Sequence, residues 1–134
     1  MRHVYPAVFT PAEGKMLVSV PDIKGCHTFG DDLAEAIAMA QDAVEMLLYH
    51  MEKDGVEPPK PSTLEAARQT DESPDAFASF VYADTDAYRR RNDKRAVNKM
   101  VTIPAWLKYQ AEQANAPFSQ ILQQGLKEYL NIAA

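Results

Sequence analysis

Apolar and polar residues change rhythm several times along this chain, and each rhythm predicts an element. Residues 4–9 and 16–20 are rich in β-forming side chains, and "TPAEG" between them supplies the Pro and Gly that turns prefer, so the pair reads as a hairpin. Pro6 has no N–H for a ladder bond, which argues for an edge position or a bulge there. After the turn "PDIKG", the stretch "CHTFG" reads as a third short strand. The period then lengthens. Leu33, Ile37, Ala40, Val44, Leu47, Leu48 and Met51 recur at steps of three and four, the stripe of a helix with one buried face. Asp32, with Glu35 three residues later, makes a capping box at its start, and Gly55 suits its stop.

Pro58, Pro59 and Pro61 stiffen the next connection, and "STLEAARQ" predicts a short helix opened by a Ser62–Glu65 capping box. "AFASFVYAD" alternates as a strand does. Residues 1–88 therefore predict an α+β layer, a small antiparallel sheet covered by one long helix. "YRRRNDKR", residues 88–95, has no apolar period and reads as a charged linker, centred on 89–94. Beyond it, "AVNKMVTIP" alternates again, Pro104 suits a first helical turn, and "NAPF" breaks the helix that follows. Phe118, Ile121, Leu122, Gly125, Leu126, Tyr129 and Leu130 complete a second, strongly amphipathic helix. Residues 95–134 are thus strand, helix, helix.

Composition narrows the class. At 134 residues the chain makes one domain or two small ones, and 46% hydrophobic with 25% charged residues is ordinary for a globular protein. No run approaches the roughly 18 apolar residues of a membrane span, and "MRHVYPAVF" lacks the apolar core of a signal peptide, so no membrane partner is expected. Cys26 is the single cysteine, which suits a reducing, cytoplasmic setting. The net charge of −5 divides unevenly: residues 1–88 carry 6 Lys and Arg against 16 Asp and Glu, while residues 89–134 carry 8 against 3. The basic part is the candidate for nucleic acid.

A lone strand leaves its N–H and C=O groups unpaired, and about forty residues usually cannot bury a core alone. One arrangement answers both needs: two copies pair their strands antiparallel about a two-fold axis, and their four helices share a core. Val97, Val101, Ile103, Leu107, Ile121, Leu122 and Leu126 would fill that dimer core. Asn98, Met100 and Thr102 alternate with the inward residues and would face out on a two-stranded ribbon of the kind that enters the DNA major groove. Arg95 and Lys99 flank it, placed to meet phosphates.

"RAVNKMVTIPAWLKYQAEQANAPFSQILQQGLKEYL" resembles a ribbon-helix-helix DNA-binding domain, and "VSVPDIKGCHTFGDDLAEAIAMAQDAVEMLL" is similar to the signature of the HicB antitoxin family. The resemblance implies a partial RNase H-like fold for residues 1–88 that blocks a partner, the mRNA-cleaving toxin HicA. It also implies a domain at residues 95–134 that binds double-stranded operator DNA as a homodimer, or as a tetramer, and represses its own operon. Ser119 and its neighbours, at the start of the last helix, would hold a DNA phosphate, with Pro117 removing one donor.

Other chemistry fits less well. A two-metal nuclease needs converging carboxylates, but Asp22 belongs to a turn, Asp32 and Glu35 to a cap, and Asp31 is left alone. Cys26 and His27 are adjacent on a strand and point apart, while His3 and His50 show no ligand spacing to them. Neither catalytic residues, nor a metal, nor a cofactor is expected. The competing class is a ribbon-helix-helix regulator whose first domain senses a small ligand, which would need a lined pocket.

Overall fold

The computed structural model describes residues 1–132, which divide into two compact units, Met1–Lys94 and a second that begins at Arg95. In the first unit, β1 (Arg2–Ala12), β2 (Lys15–Ser19), β3 (His27–Gly30) and β4 (Phe77–Asp84) form one antiparallel sheet in the order β3-β2-β1-β4. The hairpin turns at Glu13 and Gly14, both at positive φ. Helix α1 (Leu33–Lys53) lies on one face, and α2 (Leu64–Arg68) on the other. A third helix, α3 (Thr85–Asn92), leaves the end of β4 and packs on α1.

Strand alternation sorts the two faces. Tyr5, Ala7 and Phe9 of β1 and Val81 and Ala83 of β4 meet Ala36, Ala40, Val44 and Leu48 of α1 in the main core. On the opposite face, Val8 packs with Ala67 of α2 and Ala76 in a smaller cluster. Pro6 sits inside this sheet without cost. Its partner is Phe80 in β4, but β2 begins pairing only at Val8, so the missing N–H points where no strand lies.

The motif residues act in folding. Gly25 takes φ +79, and the turn it closes bonds Val20 N–H to Cys26 C=O at 3.0 Å. Asp22 accepts from Ser62 N–H (2.8 Å) and Ser62 Oγ (3.0 Å), tying the proline-rich connection to the turn. Gly30 is where β3 meets α1: a Cβ there would collide with the backbone of Glu35 and Ala36. Asp32 caps α1 by accepting from Glu35 N–H at 2.8 Å.

Three expectations change. The buried stripe of α1 runs through Ala36, Ala40, Val44 and Leu48, whereas Leu33 and Ile37 are exposed. Small side chains at 36 and 40 let the helix sit close to β3, which turns the larger residues outward. The cap of α2 is Thr63, accepting from Ala66 N–H at 3.1 Å, because Ser62 is occupied with Asp22. The charged stretch expected to be a linker is largely helix α3, capped by Asp84, which accepts from Asp86 N–H at 3.0 Å.

In the second unit, α4 (Ala105–Gln113) and α5 (Phe118–Tyr129) are joined by a turn through Asn115 at positive φ. Residues 95–104 precede them and belong to no strand of the single chain.

Candidate functional site

The second unit lacks an interior. No side chain of α4 or α5 is buried, and of residues 95–132 only Ala111 and Ala116 fall between buried and exposed, all the others being exposed. The apolar residues instead converge on an open groove of about 460 Å³. Val101 and Ile103 line it beside Leu107 of α4 and Phe118, Ile121 and Leu122 of α5. Burying such side chains is worth roughly 1.5–3 kcal/mol each, so a groove left in water forfeits most of what would hold the unit together.

Each sequence-predicted residue can be placed on this unit. Leu107, Ile121 and Leu122 come together with Val101 and Ile103 in the groove, while Val97 (83% exposed) and Leu126 (51%) do not line it. Lys99 lines the groove with Val101 and Ile103 instead of flanking it. Asn98, Met100 and Thr102 have the opposite parity and lie outside its lining; Met100 is 95% exposed. Arg95 is exposed at the unit's start. Ser119 is in the first turn of α5 and also borders the groove. Pro117 is the N-cap of α5, so the donor it lacks lies just before the first turn, and Phe118, Ser119 and Gln120 keep theirs.

The first unit carries a device that the sequence pattern did not single out. Glu45 is only 2% exposed, yet it sits on α1 amid apolar residues. Its Oε2 accepts from Asp84 N–H at 2.8 Å, and its Oε1 accepts from Arg91 Nη2 of α3 at 2.8 Å. Two turns on, Glu52 Oε1 accepts from the buried Thr85 hydroxyl at 2.7 Å. Between them Tyr49 meets Tyr88, ring centroids 5.4 Å apart. One flank of α1 thus holds the β4–α3 junction by two carboxylates and an aromatic contact. The Glu45 hydrogen bond raises Arg91 further above its ordinary value. The heptad spacing of Glu45 and Glu52 was the available signal, but exposed acids on a helix share it.

This placement alters the charge map. Arg89, Arg90, Arg91 and Lys94 belong to the first unit, which therefore carries 10 Lys and Arg against 17 Asp and Glu. The second unit carries 4 against 2, much less basic than the run of residues 89–134 implies.

Elsewhere in the first unit, Thr10, Ser19, His27 and Asp71 border a shallow concavity of about 330 Å³. Asp71 accepts from Thr10 Oγ1 at 2.6 Å and from Ser73 N–H at 2.8 Å, and these bonds hold its carboxyl below the usual range. Burial pushes the Tyr5 phenol up, helped by Asp22. Burial also pushes the thiol of Cys26, just before β3, up to about 11, while the next residue, His27, is exposed. Among the described residues, no three His, Cys, Asp or Glu side chains gather as metal ligands would, and no helix is long and apolar enough to cross a membrane.

Residues 5–125 match the family described as "HicB_like antitoxin of bacterial toxin-antitoxin system". The chain belongs to the HicB-like antitoxin family. It is 30% identical over 110 residues to an uncharacterized 14.9 kDa protein from the rep-hol intergenic region of Haemophilus phage HP1, covering 82% of this chain and 80% of that one. Its fold is similar to a chain of a toxin-antitoxin complex from Streptococcus pneumoniae, with TM-score 0.58, 24% identity and coverage of 96% and 99%. It is also similar to the antitoxin HicB of Burkholderia pseudomallei, with TM-score 0.54, 22% identity and coverage of 98% of both chains. Within this HicB-like antitoxin, the strand, "PDIKG", "HTFG" and helix that carried the resemblance are the parts that build the sheet–α1 layer.

Proposed function

We propose that this HicB-like antitoxin works through both units without chemistry of its own. The first unit binds and blocks a HicA-like, mRNA-cleaving toxin in the cytoplasm. The second pairs with another copy as a ribbon-helix-helix domain, binds operator DNA and represses the antitoxin's own operon. The observation carrying the second half is the coreless second unit, whose apolar residues all await cover while residues of opposite parity on 97–103 do not line the groove. Antiparallel pairing of that segment with a second copy's would satisfy its backbone, close the groove, and set Asn98, Met100 and Thr102 on an outward ribbon. With a net charge of only +2 on the unit, affinity would rest on Arg95 and the ribbon's polar contacts, and on two copies acting together. The domain division that follows is a toxin-binding part ending with α3 and a DNA-binding part from Arg95 onward.

The test is a gel shift on the DNA upstream of the antitoxin gene, with native mass measured alongside. Asn98→Ala/Thr102→Ala should lower operator affinity about 10- to 100-fold while dimer mass is unchanged. Unchanged affinity removes the ribbon as reader. The sensor alternative gains no support, since Thr10 and Asp71 at the shallow concavity already satisfy each other.

A further inference from the structure

Strand β4 lies at the edge of the sheet, and its hydrogen-bonding parity can be fixed. Thr85 N–H donates to Met1 C=O at 3.0 Å, and the register pairs Asp84 with Arg2. Odd-numbered residues of β4 therefore exchange bonds with β1, and the N–H and C=O of Ala78, Phe80 and Tyr82 point to the open side. Asp84, next in that row, turns its N–H to Glu45. The remaining three have no partner among the described residues. The edge also lacks the usual protection. From Phe77 to Ala83 it contains no proline and no charge, and its eight pairs with β1 run without a bulge.

Beside this edge, on the face away from α1, Phe80 (57% exposed), Tyr82 and Val4 form an apolar patch that α2 does not cover. A bare edge flanked by aromatics is the pattern by which a protein accepts a strand from a partner. Charge selects between occupants. The first unit has a net charge of −7, so a second copy would bring like charge, whereas a protein that holds RNA brings the opposite.

We infer that the open edge of β4, with Phe80, Tyr82 and Val4, is the toxin-docking surface. A small basic ribonuclease adds an edge strand alongside residues 78–82 and seats its own apolar side chains on this patch. The inference rests on the proposed antitoxin function and deepens it.

The test uses the full chain and the product of the adjacent small basic reading frame, made catalytically silent, in titration calorimetry, with native mass of the free antitoxin measured in parallel. Phe80→Lys and, as a second variant, Tyr82→Lys change exposed side chains and should keep the wild-type circular dichroism. Each should weaken toxin binding about 100-fold, and Phe29→Lys, on the opposite edge strand, should leave it within about threefold. Toxin affinity unchanged in both β4 variants overturns the inference. So does a fall in native mass with affinity intact, which would assign the edge to a second copy. If the wild-type chain itself fails to bind, the antitoxin reading falls, and this surface with it.

Discussion

The two units of this antitoxin spend their apolar residues in opposite ways. The first directs Tyr5, Phe9, Val44, Leu48 and Val81 inward and is complete in one chain. The second has a similar supply in Val101, Ile103, Leu107, Phe118, Ile121 and Leu122, yet buries none of them. The difference is one of geometry. A four-stranded sheet and a 21-residue helix can enclose a core by themselves, but two short helices and one open segment cannot. Under the pairing proposed above, what looks like poor packing in the second unit would be an interface seen from one side.

The contrast breaks most sharply at Ile103. Ile103→Asp should abolish self-association at micromolar protein in sedimentation equilibrium and remove the helical signal of the second unit, while the first unit melts as in the wild type. Loss of both transitions together would show that the units are not independent. In the same spirit, dilution should lower the melting temperature of the second unit and leave that of the first unmoved.

Gly30→Ala tests the enclosed unit. Its Cβ meets backbone, which cannot swing aside, so denaturant unfolding should show a loss of about 3 kcal/mol with operator binding by intact dimers retained. Next comes the clamp on α1. Arg91→Ala strands the buried Glu45 carboxylate and should lower the melting temperature of the first unit by more than Arg89→Ala, which removes only an exposed i,i+3 pair. Equal effects would mean that the buried pair contributes nothing beyond surface charge.

The smallest effects come from titration. The Cys26 thiol at about 11 lies above its unfolded value near 8.5, so the folded state keeps the proton longer. Its contribution is intact below pH ~8.5 and is lost as pH rises toward 11. Iodoacetamide at pH 8 should label it only after unfolding. Asp71 runs the other way: its lowered pKa stabilises the fold above the ordinary carboxylate range, and that share is lost on acidification. Thr10→Val should remove about 1 kcal/mol and flatten this acid limb.

Much of the first unit was legible because its rhythms are local. The alternation of "AFASFVYAD", the hairpin around "TPAEG" and the Asp32 cap each lie within one element. What misled was size and polarity. Leu33 and Ile37 outrank Ala36 and Ala40 on any apolar count, but the close approach at Gly30 selects the alanines. Helix α3 escaped notice because Thr85, Tyr88 and Arg91, which face α1, make hydrogen bonds and a ring contact instead of an apolar stripe. In the second unit Val101, Ile103, Leu107, Ile121 and Leu122, grouped by their spacing as one apolar set, line one groove, and Lys99, expected to flank the ribbon, shares the parity of Val101 and Ile103 and lines it with them. The open edge of β4 left no motif at all: an unprotected edge is a property of the sheet order, which no single stretch encodes.

The grip of Glu45 on Arg91 fixes where the chain can be cut. Ending a fragment at Tyr88 would follow the visible change in charge, but it would leave an acid sealed in oil without its counterion. A scissor placed after Lys94 keeps the lock whole. The first unit of this antitoxin therefore has to be expressed with its arginines, which the eye assigns to DNA.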